Sequence, residues 1–357
     1  MNSALSIEEA LAKLSPVLLR DLCSCHECKH PGNGQRLLLA ENLNLNVKVQ
    51  AFSMSDSFVD LTFTDGHRSF INSEIILLHA KGSNPQSDRS SETKMLWRRS
   101  DISFPEITWE HFQSFQKLEA LRRVKNYGFT IITEVPRIEN AVLDVIAQFG
   151  YVRETNYGKV FDVRVEHNPN NLAFTDLEIP PHTDNPYRNP VPTIQLLHCL
   201  ESEVDGGESG LVDGFYAANV LKKNNPEAFQ ILSETIFEFR YQSEQTYLSH
   251  CGPILNKNRN DEIDGIRWND RSMQSYAGNQ DSTSIYSALS YFSKIVNSAE
   301  LSYKFKLKPG DCVIFDNSRI LHSRTSFDGA GKRHLQGAYS DLDSLFSLIK
   351  ILEAQVL

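Results

Sequence analysis

"YKFKLKPGDCVIFDNSRILHSR", residues 303–324, decides the fold class. Two runs of β-formers flank Pro309-Gly310, so the spacing predicts two strands around a turn and no helix. Upstream, "TIQLLHCLES" (193–202) reads as another strand, and "GGESGLVDG" (206–214) as a glycine-rich hairpin turn with the strand that leaves it. Downstream, "RHLQGAYSDLD" (333–343) supplies one more. Helical patterns lie at the margins: 108–128 with Thr108 as cap and Gly128 as stop, 139–150 stopped by Gly150, a helix–turn–helix over 219–234, and an amphipathic run over 343–356. "FTIITEV" (129–135) is a buried strand between the first two. Strands joined by turns, and no GxGxxG after the first strand, argue against a doubly wound sheet and for a mainly β jelly roll with flanking helices.

The amino-terminal part is built differently. "NVKVQAFSM" (46–54) and "SFVDLTFTDG" (57–66) alternate apolar and polar residues as half-buried strands do. A serine-rich polar stretch with Gly and Pro follows, "AKGSNPQSDRSSETK" (80–94). The expected organisation is a small amino-terminal β domain over 1–85, a linker over 86–104 and a large domain over 105–357.

Composition narrows the function classes. The 357 residues are 40% hydrophobic and 23% charged, ordinary globular values. A net charge of −9 argues against a nucleic-acid binder. No apolar run approaches the roughly 18 residues of a membrane span, and no signal-peptide core is seen, so a cytoplasmic location is expected. Of the six cysteines, Cys23, Cys25 and Cys28 are spaced for a metal rather than for disulfides. Cys199, Cys251 and Cys312 are expected to be buried, inert thiols.

"IPPHTDNPYRNPVP" (179–192) carries His182 and Asp184 among prolines, which exclude a helix interior and suggest a rigid loop. His322 closes the opening segment. Two imidazoles and one carboxylate on one face of a metal form the 2-His-1-carboxylate arrangement, which leaves positions open on Fe(II). Arg333, about one strand length beyond His322, offers a fork suited to the far carboxylate of 2-oxoglutarate. A core histidine and a surface arginine are the plainer alternative.

The context of these residues resembles a known family. "PPHTDNPYRNPVPTIQLLHCL", "GGESGLVDGF", "LKKNNPEAFQIL", "KPGDCVIFDNSRILHSR" and "RHLQGAYSDLD" keep the order and spacing of the γ-butyrobetaine and trimethyllysine dioxygenases, which are Fe(II)/2-oxoglutarate oxygenases. The resemblance covers most of the chain and implies a double-stranded β-helix catalytic domain and a zinc-binding amino-terminal domain. It implies His182, Asp184 and His322 as iron ligands, Arg333 as the 2-oxoglutarate clamp, and O2 as second cosubstrate. An aromatic cage for a trimethylammonium group would comprise Tyr157, Phe161, Phe174 and Tyr339. The substrate's acid end would meet Asn171 and Asn269; Asn185, where some relatives carry Tyr, and Arg271 are departures that weaken the assignment of the acid. Zn(II) would be held by Cys23, Cys25, Cys28 and His67. From the residues alone, His26 and His30 are rival ligands.

The resemblance also implies a homodimer and a role in carnitine biosynthesis, with γ-butyrobetaine hydroxylated to L-carnitine. Trimethyllysine or trimethylaminoethylphosphonate are the alternative substrates. A non-catalytic quaternary ammonium sensor is the reading from another class, and a complete iron and Arg333 set argues against it.

Overall fold

The computed structural model describes residues 5–55, 57–82, 94–164, 175–276, 278, 282–328 and 331–356. The chain divides into two compact units, 1–93 and 94–357.

The smaller unit opens with two short helices. Ile7–Lys13 starts at Ser6, whose hydroxyl accepts from the Glu9 N–H while Glu9 reaches back to the Ser6 N–H, a reciprocal cap. Pro16–Asp21 starts at Ser15 with Pro16 in its first turn, where a missing N–H costs nothing. A three-stranded antiparallel sheet follows: β1 (Val49–Met54), β2 (Phe58–Phe63) and β3 (Arg68–Asn72). The alternation read in the sequence is what β2 buries: Val59, Leu61 and Phe63 pack with Ala10, Leu19, Ile71 and Ile76. The helix Ser73–Ala80 is the last element described in this unit.

The larger unit is a jelly roll of two sheets. One has the order β4-β5-β15-β8-β17-β6: β4 (Ile107–Thr108), β5 (Phe129–Thr133), β6 (Phe161–Val163), β8 (Ile194–Ser202), β15 (Cys312–Asp316) and β17 (Arg333–Ser340). The other has the order β14-β9-β16-β7: β7 (Ile179–His182), β9 (Ser209–Asp213), β14 (Tyr303–Phe305) and β16 (Ile320–Arg324). Period-two alternation splits each strand between two environments. Cys312 and Ile314 of β15 face helices 109–113, 117–127, 141–147 and 342–356, whereas Val313 and Phe315 join Leu211, Ile320 and Leu335 between the sheets. A third core lies around helices 214–224, 226–234 and 282–296, packed on hairpins β10 (Phe237–Gln242)/β11 (Tyr247–Gly252) and β12 (Leu255–Lys257)/β13 (Ile263–Ile266).

The expected jelly roll is found, with several local corrections. The Pro309-Gly310 turn does not close a hairpin: it carries the chain from β14 in one sheet to β15 in the other, and a second turn at Asn317 separates β15 from β16. The proline-crowded segment begins as a strand. Pro180 and Pro181 lie in β7, which is tolerated because among the described residues β7 is a sheet edge, paired with β16 through an irregular register. The helix read over 108–128 breaks at Ser114 into Trp109–Gln113 and Lys117–Tyr127. It is capped by Thr108 and ended by Gly128 as expected. At Gly128, φ is +87° and a Cβ would stand 2.7 Å from Ile320 Cδ1, so any side chain there would be strained. Cys251 is exposed on β11, not buried.

Part of the expected linker, 83–93, lies outside the described residues. Residues 94–104 are no linker: they belong to the larger unit. Trp97 is 1% exposed, its indole N–H donates to the Tyr127 carbonyl (2.7 Å) and its backbone N–H to Asp213 Oδ2 (3.1 Å). The buried Arg319 completes this anchor, donating to Asp213 and to the carbonyls of Asn126 and Met95.

Candidate active site

Two neighbouring strands bring the histidines together. His182, last in β7, is paired in register with His322 of β16, and their ring centroids are 4.1 Å apart. Asp184 follows two residues beyond the end of the strand. Its Oδ1 is 3.4 Å from His182 Nε2 and its Oδ2 3.9 Å from His322 Nε2. The three donors lie within 4.8 Å of one another, as around one metal ion.

The surroundings aim these donors. The Pro180 carbonyl is 2.9 Å from His182 Nδ1, which as an N–H would leave the Nε2 lone pair facing Asp184. Asp184 Oδ2 accepts from Gln195 Nε2 and from the Tyr339 hydroxyl, both at 2.9 Å, so Oδ1 is the less encumbered oxygen. Asn317, fully buried, holds the backbone on both sides of that carboxylate. Its Oδ1 accepts the Asp184 N–H (2.8 Å), and its Nδ2 donates to the carbonyls of Asp184 and Pro192 (both 2.9 Å).

Electrostatics suit a cation. Burial pushes His322 down to about 3, with His182 alongside adding to the effect, so its imidazole is neutral and able to ligate. Burial alone would raise Asp184, but its neighbours His182, His322 and Arg271 outweigh it and hold the carboxyl ionised. Two nitrogens and an ionised oxygen, with no thiolate, are a donor set that fits Fe(II).

A cavity of about 430 Å³ opens onto these three residues. One wall is aromatic. Phe161 stacks on Tyr339 at 5.1 Å, Tyr157 lies 6.2 Å from Phe161, and Tyr187 stacks on Tyr241 at 5.3 Å. Burial pushes Tyr157 up to about 12 and raises Tyr187 as well, so both phenols stay neutral. The cavity also meets Asn185, Asn269 and Arg271. Asn185 sits at φ +55°, 2% exposed, with neither amide atom hydrogen-bonded among the described residues. A buried amide without partners is costly, and its position on the cavity suits a polar ligand group. Asn269 is more committed: it donates to the Thr183 carbonyl (3.0 Å) and accepts the Arg271 N–H (3.1 Å), steadying the turn between the ligands. Arg271 is exposed, yet its charge is felt at Asp184 and His322.

Arg333 opens β17 on the same cavity, 8% exposed and over the Phe327 ring at 5.3 Å. No ion pair is found for it among the described residues, and burial lowers its pKa from the ordinary arginine value. A buried guanidinium without a carboxylate is a place for an anion to bind. Arg324 lines the cavity too, but its Nη2 donates to the carbonyls of Thr175 and Leu177 (both 2.6 Å).

All sequence-expected site residues of the larger unit therefore meet in one cavity, apart from Asn171 and Phe174, which lie outside the described residues. The sequence reading missed Tyr187, Tyr241, Gln195 and Asn317. Gln195 had a signal, a lone amide inside the apolar strand 193–202, and Asn317 lies in the opening segment. Tyr241 had none.

In the smaller unit, Cys23, Cys25, Cys28 and His67 converge as expected. Their sulfurs are 3.2, 3.6 and 3.7 Å from His67 Nε2. His26 and His30 are exposed and stand apart from the cluster. Three thiols and one imidazole fit a closed structural zinc site.

Comparisons with known proteins agree with this geometry. Residues 92–339 match the model of the taurine catabolism dioxygenase TauD, TfdA family. Residues 7–73 match the amino-terminal model described as gamma-butyrobetaine hydroxylase-like. The chain is 30% identical to a gamma-butyrobetaine dioxygenase of Pseudomonas sp. (strain AK-1), covering 98% of this chain and 94% of the relative. It is 29% identical to a trimethyllysine dioxygenase of Meyerozyma guilliermondii, with the same coverages. A solved structure from Burkholderia xenovorans, described as a candidate alpha-ketoglutarate-dependent taurine dioxygenase, superposes with a TM-score of 0.50 at 16% identity, over 63% of this chain and 83% of that one, a likeness of fold.

Proposed function

The chain belongs to the TauD, TfdA dioxygenase family, among the γ-butyrobetaine and trimethyllysine dioxygenases, and we propose that it hydroxylates a small trimethylammonium acid using Fe(II), 2-oxoglutarate and O2. The first choice of substrate is γ-butyrobetaine, giving L-carnitine, succinate and CO2. The observation that carries the reading is one cavity with an aromatic wall, amides and an arginine beside three metal donors, and a buried arginine with no ion pair among the described residues.

His182, Asp184 and His322 would hold iron, which with 2-oxoglutarate and O2 supplies an oxidant able to break an aliphatic C–H bond. Gln195 and Tyr339 keep the second Asp184 oxygen occupied, which favours binding through Oδ1. Arg333 would pair with the far carboxylate of 2-oxoglutarate. The rings of Tyr157, Phe161 and Tyr339, with Tyr187 and Tyr241 behind, would face the trimethylammonium group, each contact contributing roughly 0.5–2 kcal/mol when desolvated. That cation donates no hydrogen bonds, so a wall of neutral rings favours it over a hydrated ammonium. Asn185 and Arg271 would meet the acid end. Holding both ends fixes which C–H bond faces the metal.

Arg271 also favours a second reading, in which the acid is trimethyllysine or trimethylaminoethylphosphonate. Succinate formation by Fe(II)-loaded protein, run with each of the three substrates and with none, decides between them. Coupling to γ-butyrobetaine alone supports the first choice. Coupling to another keeps the chemistry and moves the substrate. Equal background in every tube overturns the aromatic site, and an active His182→Ala protein would overturn the iron assignment. In the smaller unit Cys23, Cys25, Cys28 and His67 would hold structural zinc. A homodimer is proposed as well, which light scattering checks.

A further inference from the structure

The Cys3His cluster joins two segments far apart in sequence, 23–28 and the turn at His67, and one side chain touches both. Arg20 lies in the last turn of helix Pro16–Asp21, with its side chain 10% exposed. Its Nη1 donates to Cys28 Sγ at 3.1 Å, and its Nε donates to Asp65 Oδ2 at 3.1 Å. Asp65 Oδ1 in turn accepts the His67 backbone N–H at 3.1 Å. A continuous chain of contacts thus runs from one ligand to the backbone of another without passing through a metal.

We propose that Arg20 is a positioning residue for the zinc site: it neutralises and orients the Cys28 thiolate and, through Asp65, ties it to the His67 turn. This rests on the zinc reading of the cluster. Three thiolates and a neutral imidazole leave Zn(II) with a net charge of −1, and a nearly buried guanidinium against one sulfur offsets it where solvent does not reach. An N–H donated to a thiolate also withdraws electron density from sulfur, which lowers its reactivity toward electrophiles. Cys23 accepts the Cys25 backbone N–H at the longer distance of 3.5 Å and has no guanidinium beside it among the described residues, so the three sulfurs are not equivalent. Glu27, on the exposed side, is 3.7 Å from His67 Nδ1, the ring nitrogen turned away from the sulfurs. Charged side chains therefore stand behind Cys28 and His67, as outer partners of metal-bound thiolates and histidines generally do.

The test uses the full-length, zinc-loaded chain and three variants: Arg20→Gln, Arg20→Lys and Asp65→Asn. Zinc per chain is measured by elemental analysis, its transfer to a chromogenic chelator by absorbance, and N-ethylmaleimide labelling of each cysteine by mass spectrometry. Arg20→Gln is expected to release zinc about 10–100-fold faster and to gain labelling at Cys28 ahead of Cys23 and Cys25. Arg20→Lys keeps the charge but reaches only one partner, so it should fall between Arg20→Gln and the parent chain. Equal gains at all three cysteines would mark general loosening and overturn the proposal, as would release from Arg20→Gln at the parent rate. If Arg20→Gln does not fold, Arg20→Lys behaving as the parent overturns it equally. A parent chain that carries no zinc would overturn the zinc reading together with it.

Discussion

Replacing Asn317 with alanine should damage the metal centre although Asn317 touches no metal ligand's side chain. The side chain makes three hydrogen bonds: one received from the Asp184 N–H and two donated, to the carbonyls of Asp184 and Pro192. At about 1 kcal/mol net for each, with about 1–3 kcal/mol more for a buried N–H left unsatisfied, the expected loss is about 4–6 kcal/mol. That is a large share of the roughly 5–15 kcal/mol that holds a typical domain folded. The loss is also local, because all three bonds end on the segment that delivers Asp184. If about half of it appears as failure to present that carboxylate, metal affinity falls about 10–100-fold, at 1.4 kcal/mol per decade. Urea unfolding measures the first quantity, and calorimetric titration with Mn(II), a redox-stable substitute for Fe(II), the second. Asn317→Asp is the control: it keeps the acceptor for the Asp184 N–H but sets its other oxygen against two carbonyls, so it should do no better than alanine. Stability within 1 kcal/mol of the parent in Asn317→Ala, with Mn(II) affinity unchanged, would refute the clamp.

Tyr339 should separate into two roles. Tyr339→Phe removes the hydrogen bond to Asp184 Oδ2 and keeps the ring, so metal affinity should fall while KM for the trimethylammonium substrate holds; Tyr339→Ala should raise that KM as well. Arg333→Met should raise KM for 2-oxoglutarate on the order of 100-fold, from the loss of two charge-assisted hydrogen bonds, with the cation's KM little changed. His198, fully buried, is pushed down to about 4 by burial, which the nearby Val135 backbone offsets in part. Because the folded chain binds this proton more weakly than the unfolded chain, His198 costs nothing above about pH 6.5 and destabilises increasingly as pH falls toward 4, by up to about 3 kcal/mol. Thermal unfolding of His198→Leu across that window should show a flatter pH dependence; an unchanged slope would remove His198 as its source.

The iron-type triad was legible because its signals are local in sequence and chemical in kind. His182 and Asp184 are one residue apart, and the strand pattern around His322 fixes which face it shares. What the sequence concealed depended on which sheet a strand joins. Prolines at 180 and 181 suggest a loop until β7 is known to be an edge. The Pro309-Gly310 turn looks like a hairpin until β14 and β15 fall in different sheets. Trp97 looks like part of a polar linker until its indole is found against the Tyr127 carbonyl. Tyr241 comes to the cavity on the β10/β11 hairpin, which pairs in regular register over six residues. Its alternation shows a strand but not which cavity the strand reaches. The Cys3His site was half legible: CxCxxC gave three ligands, and only the resemblance chose His67 over His26 and His30.

The prolines of β7 bear on how the chain behaves in a crowded solution. An open sheet edge presents unpaired amides on which a strand from another molecule can lay itself down, and such pairing seeds polymers. β7 is an edge of its sheet and ends in His182, so recruitment there would bury a ligand of the proposed iron in a contact between molecules. Neighbouring residues aim their amides to opposite sides of a strand, so one of the adjacent Pro180 and Pro181 falls on the open edge, and an incoming strand would find a donor missing there. The same residues that obscure the strand in the sequence make it a poor template for polymerisation.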